Sequence, residues 1–282
     1  MDISEVIDSL PSLKTTVDAY GLLAKKALGQ NFLLDKNITD KIVNQSLQKQ
    51  KLSSLSGAHV FEVGSGPGGL TRSCLKASPD LMTIIELDDR CIKIAQDMQS
   101  KIGDRLEIVN QDALDYQFDF KENSSKHIFS NLPYNISVPL LTKWLYNINS
   151  YQSLTLMFQK EVADRIESEI RSKDYGRLSV LAQLQCHITR LFNLPPEAFT
   201  PAPKVWSSVL LFTPRNDALD INNLNRLEKI TALAFSKRRK MLRQIFKSTA
   251  DFDKICEKCN ILPTMRSEEI TPQQFYQLSK LL

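Results

Sequence analysis

The sequence predicts an open α/β fold, a parallel sheet with helices on both faces, followed by a small all-α domain at the C-terminal end. Three observations predict it. From Ala58 to Phe158 short apolar runs alternate with stretches of helical spacing. The first run, Ala58 to Val63, ends in Gly64-Ser65-Gly66-Pro67-Gly68-Gly69, four glycines within six residues, and Leu70 to Ala77 then reads as a helix. Beyond Pro214 the strand signal stops, and Leu224, Leu227, Ile230, Leu233 and Ala234 recur at the spacing of a buried helix face. Alternating strand and helix units build parallel sheets, and such sheets bind ligands at the carboxyl ends of their strands.

In chain order, residues 1–28 hold short amphipathic pieces without a periodicity that fixes their fold, so they stand as an unassigned extension. Gly29 to Asp35 mixes a glycine, two amides and an apolar pair, a polar arm ahead of a helix carrying Ile38, Ile42, Val43 and Leu47 that Asp35 can cap. The glycine turn suits a nucleotide-type ligand, because glycines adopt positive φ and let a ligand approach the main chain. It also fits the dinucleotide fingerprint, with Glu86 in the place of a ribose-binding acid. Three strand ends carry polar residues: Glu86 after Ile84-Ile85, Asp112 after Ile108-Val109, and Asn131 after Ile128-Phe129-Ser130. Each can equally be a cap or turn former; three in register behind a glycine loop argue for a site. The last of these strands runs into Asn131-Leu132-Pro133-Tyr134-Asn135, where proline stiffens the backbone beside an amide and an aromatic ring. Phe199-Thr200-Pro201-Ala202-Pro203-Lys204 is an extended loop leading into a strand at Val205 to Phe212, and it can bring Phe199 opposite Tyr134. The expected domains are residues 1–28, 29–213 and 214–282.

Composition narrows the class. At 282 residues with 42% hydrophobic content the chain suits one large domain or one and a half. No apolar run reaches 18 residues and the first residues are acidic, so an unanchored cytoplasmic protein is expected. The five cysteines are too sparse for a disulfide framework, and Cys256-x-x-Cys259 lacks the further ligands a zinc site needs, so no metal is expected. From Pro214 onward 13 Lys and Arg stand against 8 Asp and Glu, a balance of +5, while the remainder is near neutral. Lys237-Arg238-Arg239-Lys240, Arg243 and Lys247 concentrate that charge, and Arg238, Arg239, Arg243 and Lys247 can share a helix face suited to phosphate backbones. A solvated helix face is the plain alternative.

Taken together, Gln30-Asn31-Phe32-Leu33, Glu62-Val63-Gly64-Ser65-Gly66-Pro67-Gly68, Glu86-Leu87-Asp88, Gln111-Asp112-Ala113, Asn131-Leu132-Pro133-Tyr134-Asn135, Gln159 to Ala163, Tyr175 to Ser179 and Phe199 to Val205 resemble, in order, the motifs of the ribosomal RNA adenine dimethyltransferase family. The resemblance runs from about Ala27 to Lys247 and is closest to the bacterial enzymes of the small subunit. It implies a Rossmann-like class I methyltransferase sheet and S-adenosylmethionine as methyl donor. The implied substrate is 16S rRNA in the small ribosomal subunit, dimethylated at two adjacent adenosines of a hairpin near its 3′ end by a monomer. It implies cofactor contacts from Asn31, the backbone of Leu33, the main chain of Gly64, and Glu86, Asp112 and Asn131. Target-base contacts would come from Asn131, Leu132, Pro133, Tyr134 and Phe199, while RNA docking is expected from the basic cluster, through Arg238, Arg239, Arg243 and Lys247. One departure is Trp206, where such enzymes usually carry Asp. A dehydrogenase would explain the glycine loop and Glu86 but leave Asn131 to Tyr134 and the basic tail unused. A large-subunit enzyme of the antibiotic-resistance type shares nearly all the chemistry. The intact Asn-Leu-Pro-Tyr argues against a catalytically silent assembly factor.

Overall fold

The computed structural model describes residues 3–22, 30–118 and 124–282. Part of the N-terminal extension, together with Gly29 of the arm, therefore lies outside the described residues. The chain opens with α1 (Ile3–Asp8), α2 (Leu13–Ala19), β1 (Phe32–Leu33) and α3 (Lys36–Gln50). The alternating region holds β2 (Ala58–Val63), α4 (Gly69–Lys76), β3 (Leu81–Glu86), α5 (Asp89–Ile102), β4 (Leu106–Asn110), β5 (Ser125–Asn131), α6 (Tyr134–Leu145) and β6 (Ser153–Gln159). It continues through α7 (Lys160–Glu167), α8 (Arg177–Gln185), β7 (Cys186–Leu194), β8 (Phe199–Thr200) and β9 (Ser207–Pro214). The chain ends in α9 (Ile221–Ser236), α10 (Leu242–Ile245), α11 (Phe252–Lys258) and α12 (Pro272–Leu281). None of the described helices is long and apolar enough to cross a membrane.

The seven-stranded sheet runs β4-β3-β2-β5-β6-β9-β7. Its first five strands pair in parallel and β9 lies antiparallel to β6. β2 and β3 are buried at every residue, as near-continuous apolar strands are when both faces of a parallel sheet are covered. Chain progression reverses between β2 and β5. Right-handed crossovers on the two sides of that point send their helices to opposite faces and open a crevice at the carboxyl ends. The reversed strand between β6 and β7 departs from the all-parallel 3-2-1-4-5-6 order of dinucleotide-binding folds.

By their contacts the residues form two units. The first comprises Met1–Leu141, Ser150–Lys160 and Thr189–Thr213. Its core joins Val60, Ile84 and Phe129 of the sheet to Leu70 and Leu75 of α4 and Ile42, Val43 and Leu47 of α3. Ile3 and Ile7 of α1, one helical turn apart, enter the same core. Arg72 of α4 donates to the Pro11 carbonyl at 2.6 Å and to Thr16 Oγ1 at 3.3 Å, so the N-terminal pieces are integral to this unit. As expected, Asp35 caps α3, accepting the Asn37 amide at 2.8 Å.

The second unit comprises Thr142–Asn149, Glu161–Ile188 and Pro214–Leu282, more than the tail beyond residue 213. Its core explains the added segments: Tyr175, Val180 and Leu184 are buried with Leu224, Leu227, Phe252 and Phe275. The Tyr175 hydroxyl donates to the Ile270 carbonyl at 2.8 Å, and the buried Gln185 side chain donates to the Leu145 carbonyl at 2.7 Å and accepts the Leu219 amide at 2.6 Å.

One expectation is corrected here. Arg238, Arg239, Arg243 and Lys247 do not share a helix face, because α9 ends at Ser236 and α10 spans only Leu242–Ile245. The Leu242 and Arg243 amides donate to the carbonyls of Met265 and Pro263, which takes them out of any helix continued from α9. Arg238 braces its own unit: Nε meets Glu268 at 2.6 Å, and Nη1 and Nη2 donate to the carbonyls of Lys173 and Ser172 at 2.8 and 2.9 Å. Arg239, Arg243 and Lys247 are exposed.

Candidate active site

A cavity of about 280 Å³ opens at the carboxyl ends of β2, β3, β4 and β5. Asn31, Gly64, Glu86, Asp112, Asn131, Leu132, Pro133 and Tyr134 all line it, so most of the residues singled out in the sequence meet in one place. The glycine turn takes the form its sequence requires: Gly64 and Gly66 hold φ of +74° and +54°. A Cβ on Gly66 would stand 2.9 Å from the Phe32 ring, and one on Gly69 would stand 2.9 Å from the Leu33 carbonyl oxygen. The arm thus lies directly against the turn, and side chains there would push it away.

Glu86 is 8% exposed at the end of β3. Its Oε1 accepts the amides of Leu87 and Asp88 at 2.8 and 3.0 Å, and Oε2 accepts the Gly66 amide at 3.3 Å. Burial raises its pKa, and the three amide donors pull the other way. Asp112, after β4, uses Oδ1 to accept the Leu114 amide at 2.8 Å, so the turn-forming role foreseen for it is real and leaves its second oxygen for a ligand. Asn131 ends β5, and its Nδ2 donates to the main-chain oxygen of Asn31 at 3.0 Å. With its donor committed to the arm, the amide presents Oδ1 as an acceptor. The Pro133 carbonyl already accepts the Ile136 amide at 3.1 Å as α6 begins. The Tyr134 hydroxyl shares a hydrogen bond of 2.8 Å with Ser207 Oγ, which fixes the ring.

Two predicted residues turn their side chains away from the cavity, which moves Phe199 from its expected place and leaves the role expected of the Leu33 backbone untouched. Leu33 and Phe199 are 5% and 4% exposed, pair with each other across β1 and β8, and pack into the core of the first unit. Phe199 therefore does not face Tyr134 across the cavity; the antiparallel pairing turns its ring inward, where it anchors the arm. Trp206 is half exposed, and its carbonyl accepts the Lys160 amide at 2.7 Å.

Sequence reasoning gave no role to Glu62. It is 1% exposed near the end of the β2 run, accepts Thr71 Oγ1 at 2.6 Å, and burial pushes its pKa up to about 8. A lone acid inside a strand that is apolar apart from His59 was the signal. Among the described residues no group of His, Cys, Asp and Glu could hold a metal ion. Cys256 and Cys259 are buried thiols.

The strand order and the cavity at its switch point define a class I methyltransferase that uses S-adenosylmethionine, and solved structures share this fold. The dimethyladenosine transferase from Plasmodium falciparum superposes with a TM-score of 0.72 at 26% identity, covering 86% of this chain and 94% of that one. The 23S rRNA methyltransferase ErmE superposes at 0.66 and 21% identity, covering 89% and 98%. In sequence, the family model for ribosomal RNA adenine dimethylases matches residues 21–282. The ribosomal RNA small subunit methyltransferase A of Bartonella tribocorum is 43% identical over 282 residues, 98% of this chain and 99% of that protein. Its namesake in Rhodospirillum rubrum is 39% identical over 273 residues, 97% and 93%. The chain belongs to the ribosomal RNA adenine dimethylase family, enzymes that methylate rRNA adenine with S-adenosylmethionine.

Proposed function

We propose that this protein dimethylates N6 of two adjacent adenosines in a hairpin loop near the 3′ end of 16S rRNA, acting on the small ribosomal subunit in the cytoplasm. Near full-length relatives bearing the small-subunit name favour this substrate over the large subunit. The observation that carries the chemistry is the Asn131 amide, whose nitrogen is tied to the arm while its oxygen is left to meet a substrate in the cavity that Glu86 and Asp112 also line.

When bound, S-adenosylmethionine supplies an electrophilic methyl on its sulfonium. Glu86 accepts the ribose hydroxyls and Asp112 the adenine amino group of that nucleoside, both as charge-assisted bonds. The positive-φ turn at Gly64 and Gly66 leaves main chain bare for the methionine portion, with Asn31 on the opposite side. The target amino group is a weak nucleophile because its lone pair is delocalised into the ring. Asn131 Oδ1 accepts one of its hydrogens and the Leu132 carbonyl the other, since the Pro133 carbonyl is committed to Ile136. Held so, the nitrogen pyramidalises and its lone pair turns toward the methyl; the gain is positional and electrostatic. Asn131 must be neutral, as a carboxylate would compete for the methyl. The methylated nitrogen is a strong acid that loses its proton to water. Tyr134 stacks on the unstacked target base, worth about 1 to 3 kcal/mol. Arg239, Arg243 and Lys247 contact the phosphate backbone.

Asn131→Ala tests the reading. Single-turnover methyl transfer to undermethylated small subunits should fall by most of its value while cofactor affinity changes less, because the lost contact strengthens in the transition state. Mapping the label should find two neighbouring dimethyladenosines. A near wild-type single-turnover rate would count against the role of Asn131, and label in large subunits would count against the substrate.

A further inference from the structure

Asp88 stands two residues beyond Glu86 and is 3% exposed. Its Oδ1 caps α5, accepting the Arg90 amide at 3.1 Å and Arg90 Nε at 3.0 Å. Capping needs no more than that oxygen. The other, Oδ2, accepts Arg90 Nη2 at 2.6 Å and also Gln30 Nε2 at 3.1 Å. Gln30 begins the described arm, and the next residue, Asn31, offers its main-chain oxygen to Asn131 Nδ2 at 3.0 Å. Two hydrogen bonds bridged by the Gln30–Asn31 backbone therefore link Asp88, just beyond the end of β3, to the amide at the end of β5. The Arg90 guanidinium holds the Asp88 carboxyl well below the usual carboxylate range, with burial opposing and Gln30 adding to the effect, so the anchor is ionised at working pH.

We propose that Asp88 is a positioning residue for methyl transfer: through Gln30 it fixes the Asn31 carbonyl, and that carbonyl fixes which end of the Asn131 amide faces the target nitrogen. An amide turned over would aim two N–H donors at an amino group that itself donates. Without the anchor the Asn31 carbonyl drifts and the amide samples both orientations. The loss then falls on the methyl-transfer step rather than on the affinity for either substrate. The proposal rests on Asn131 Oδ1 being the acceptor for the target amino group.

The test is a set of single-turnover rates on undermethylated small subunits at saturating S-adenosylmethionine, with melting temperatures alongside. Asp88→Ser keeps an oxygen to cap α5 but is too short to reach Gln30. Asp88→Ser and Gln30→Ala should each slow transfer by about tenfold, and their combination should be no slower than the slower single, since both cut one line. Gln30→Ala should cost nothing further in an Asn131→Ala background. Asp88→Ser and Gln30→Ala effects that multiply would overturn the latch, and a purely structural role would lower the melting temperature and leave the rates multiplicative. Gln30→Ala slowing the Asn131→Ala enzyme by its full factor would overturn the route through Asn131 while leaving the role of Asn131 intact. A near wild-type Asn131→Ala rate would remove that role and the proposal with it. If Asp88→Ser fails to fold, the Gln30 and Asn131 pair decides alone.

Discussion

Replacing Glu62 with Gln should make the protein more stable in alkali and leave it unchanged in acid. The carboxyl is buried near the end of β2, with Thr71 Oγ1 donating to it at 2.6 Å, and burial raises its pKa from 4.5 to about 8. In the unfolded chain the same group titrates near its ordinary value. Below 4.5 both states are protonated and stability is unaffected. Between 4.5 and about 8 the folded state keeps a proton that the unfolded state gives up, so stability falls as pH rises, and above about 8 the loss is complete. At 1.36 kcal/mol per pH unit that interval amounts to about 5 kcal/mol, an upper bound because water penetration and local relaxation soften the cost of burying a charge. Gln has the same shape, can accept the Thr71 hydroxyl and carries no charge to desolvate. Urea unfolding followed by circular dichroism at pH 5 and pH 9 reads the difference directly. The variant should match wild type within about 1 kcal/mol at pH 5 and exceed it by several at pH 9. A stability difference that is the same at both pH values would show that Glu62 does not titrate across this range and would refute the argument.

Glu86→Ala should weaken S-adenosylmethionine binding by about 1.5 to 3 kcal/mol, the worth of hydrogen bonds to a charged group, and calorimetry on the folded variant measures it. Gly66→Ala should lower cofactor affinity as well as stability, because φ of +54° strains any side chain and the new Cβ meets the Phe32 ring at 2.9 Å; unchanged calorimetry and melting would contradict this. Arg238→Ala should lower the melting temperature and leave the salt dependence of subunit binding alone, since its guanidinium is committed to Glu268, Ser172 and Lys173. Arg239→Ala with Arg243→Ala should do the reverse, flattening the plot of log affinity against log salt by about two units.

The sequence by itself determined what depends on local chemistry. Glycines at 64 and 66 mark positive-φ positions, apolar runs mark the strands, and Glu86, Asp112 and Asn131 sit where those runs end, so the crevice and its strand-end residues were legible from spacing, while the part played by the arm at Asn31 came from the family resemblance. Only the tertiary structure decided features set by partners distant in the chain. Whether Phe199 faces the cavity or the core depends on the pairing of β8 with β1, whose register is Leu33 against Phe199. Local sequence does not encode that pairing. Arg238 and Arg239 are neighbours of identical chemistry, and only the nearby Glu268 and two carbonyls make the first a brace and leave the second exposed. Residues 161–188 join the second unit because Tyr175 and Val180 find their apolar partners in α9 and α12, which no periodicity within the segment records. The same holds for Asp88: its capping role follows from Asp88-Asp89-Arg90, but the second oxygen is explained only when the fold brings Gln30 to it.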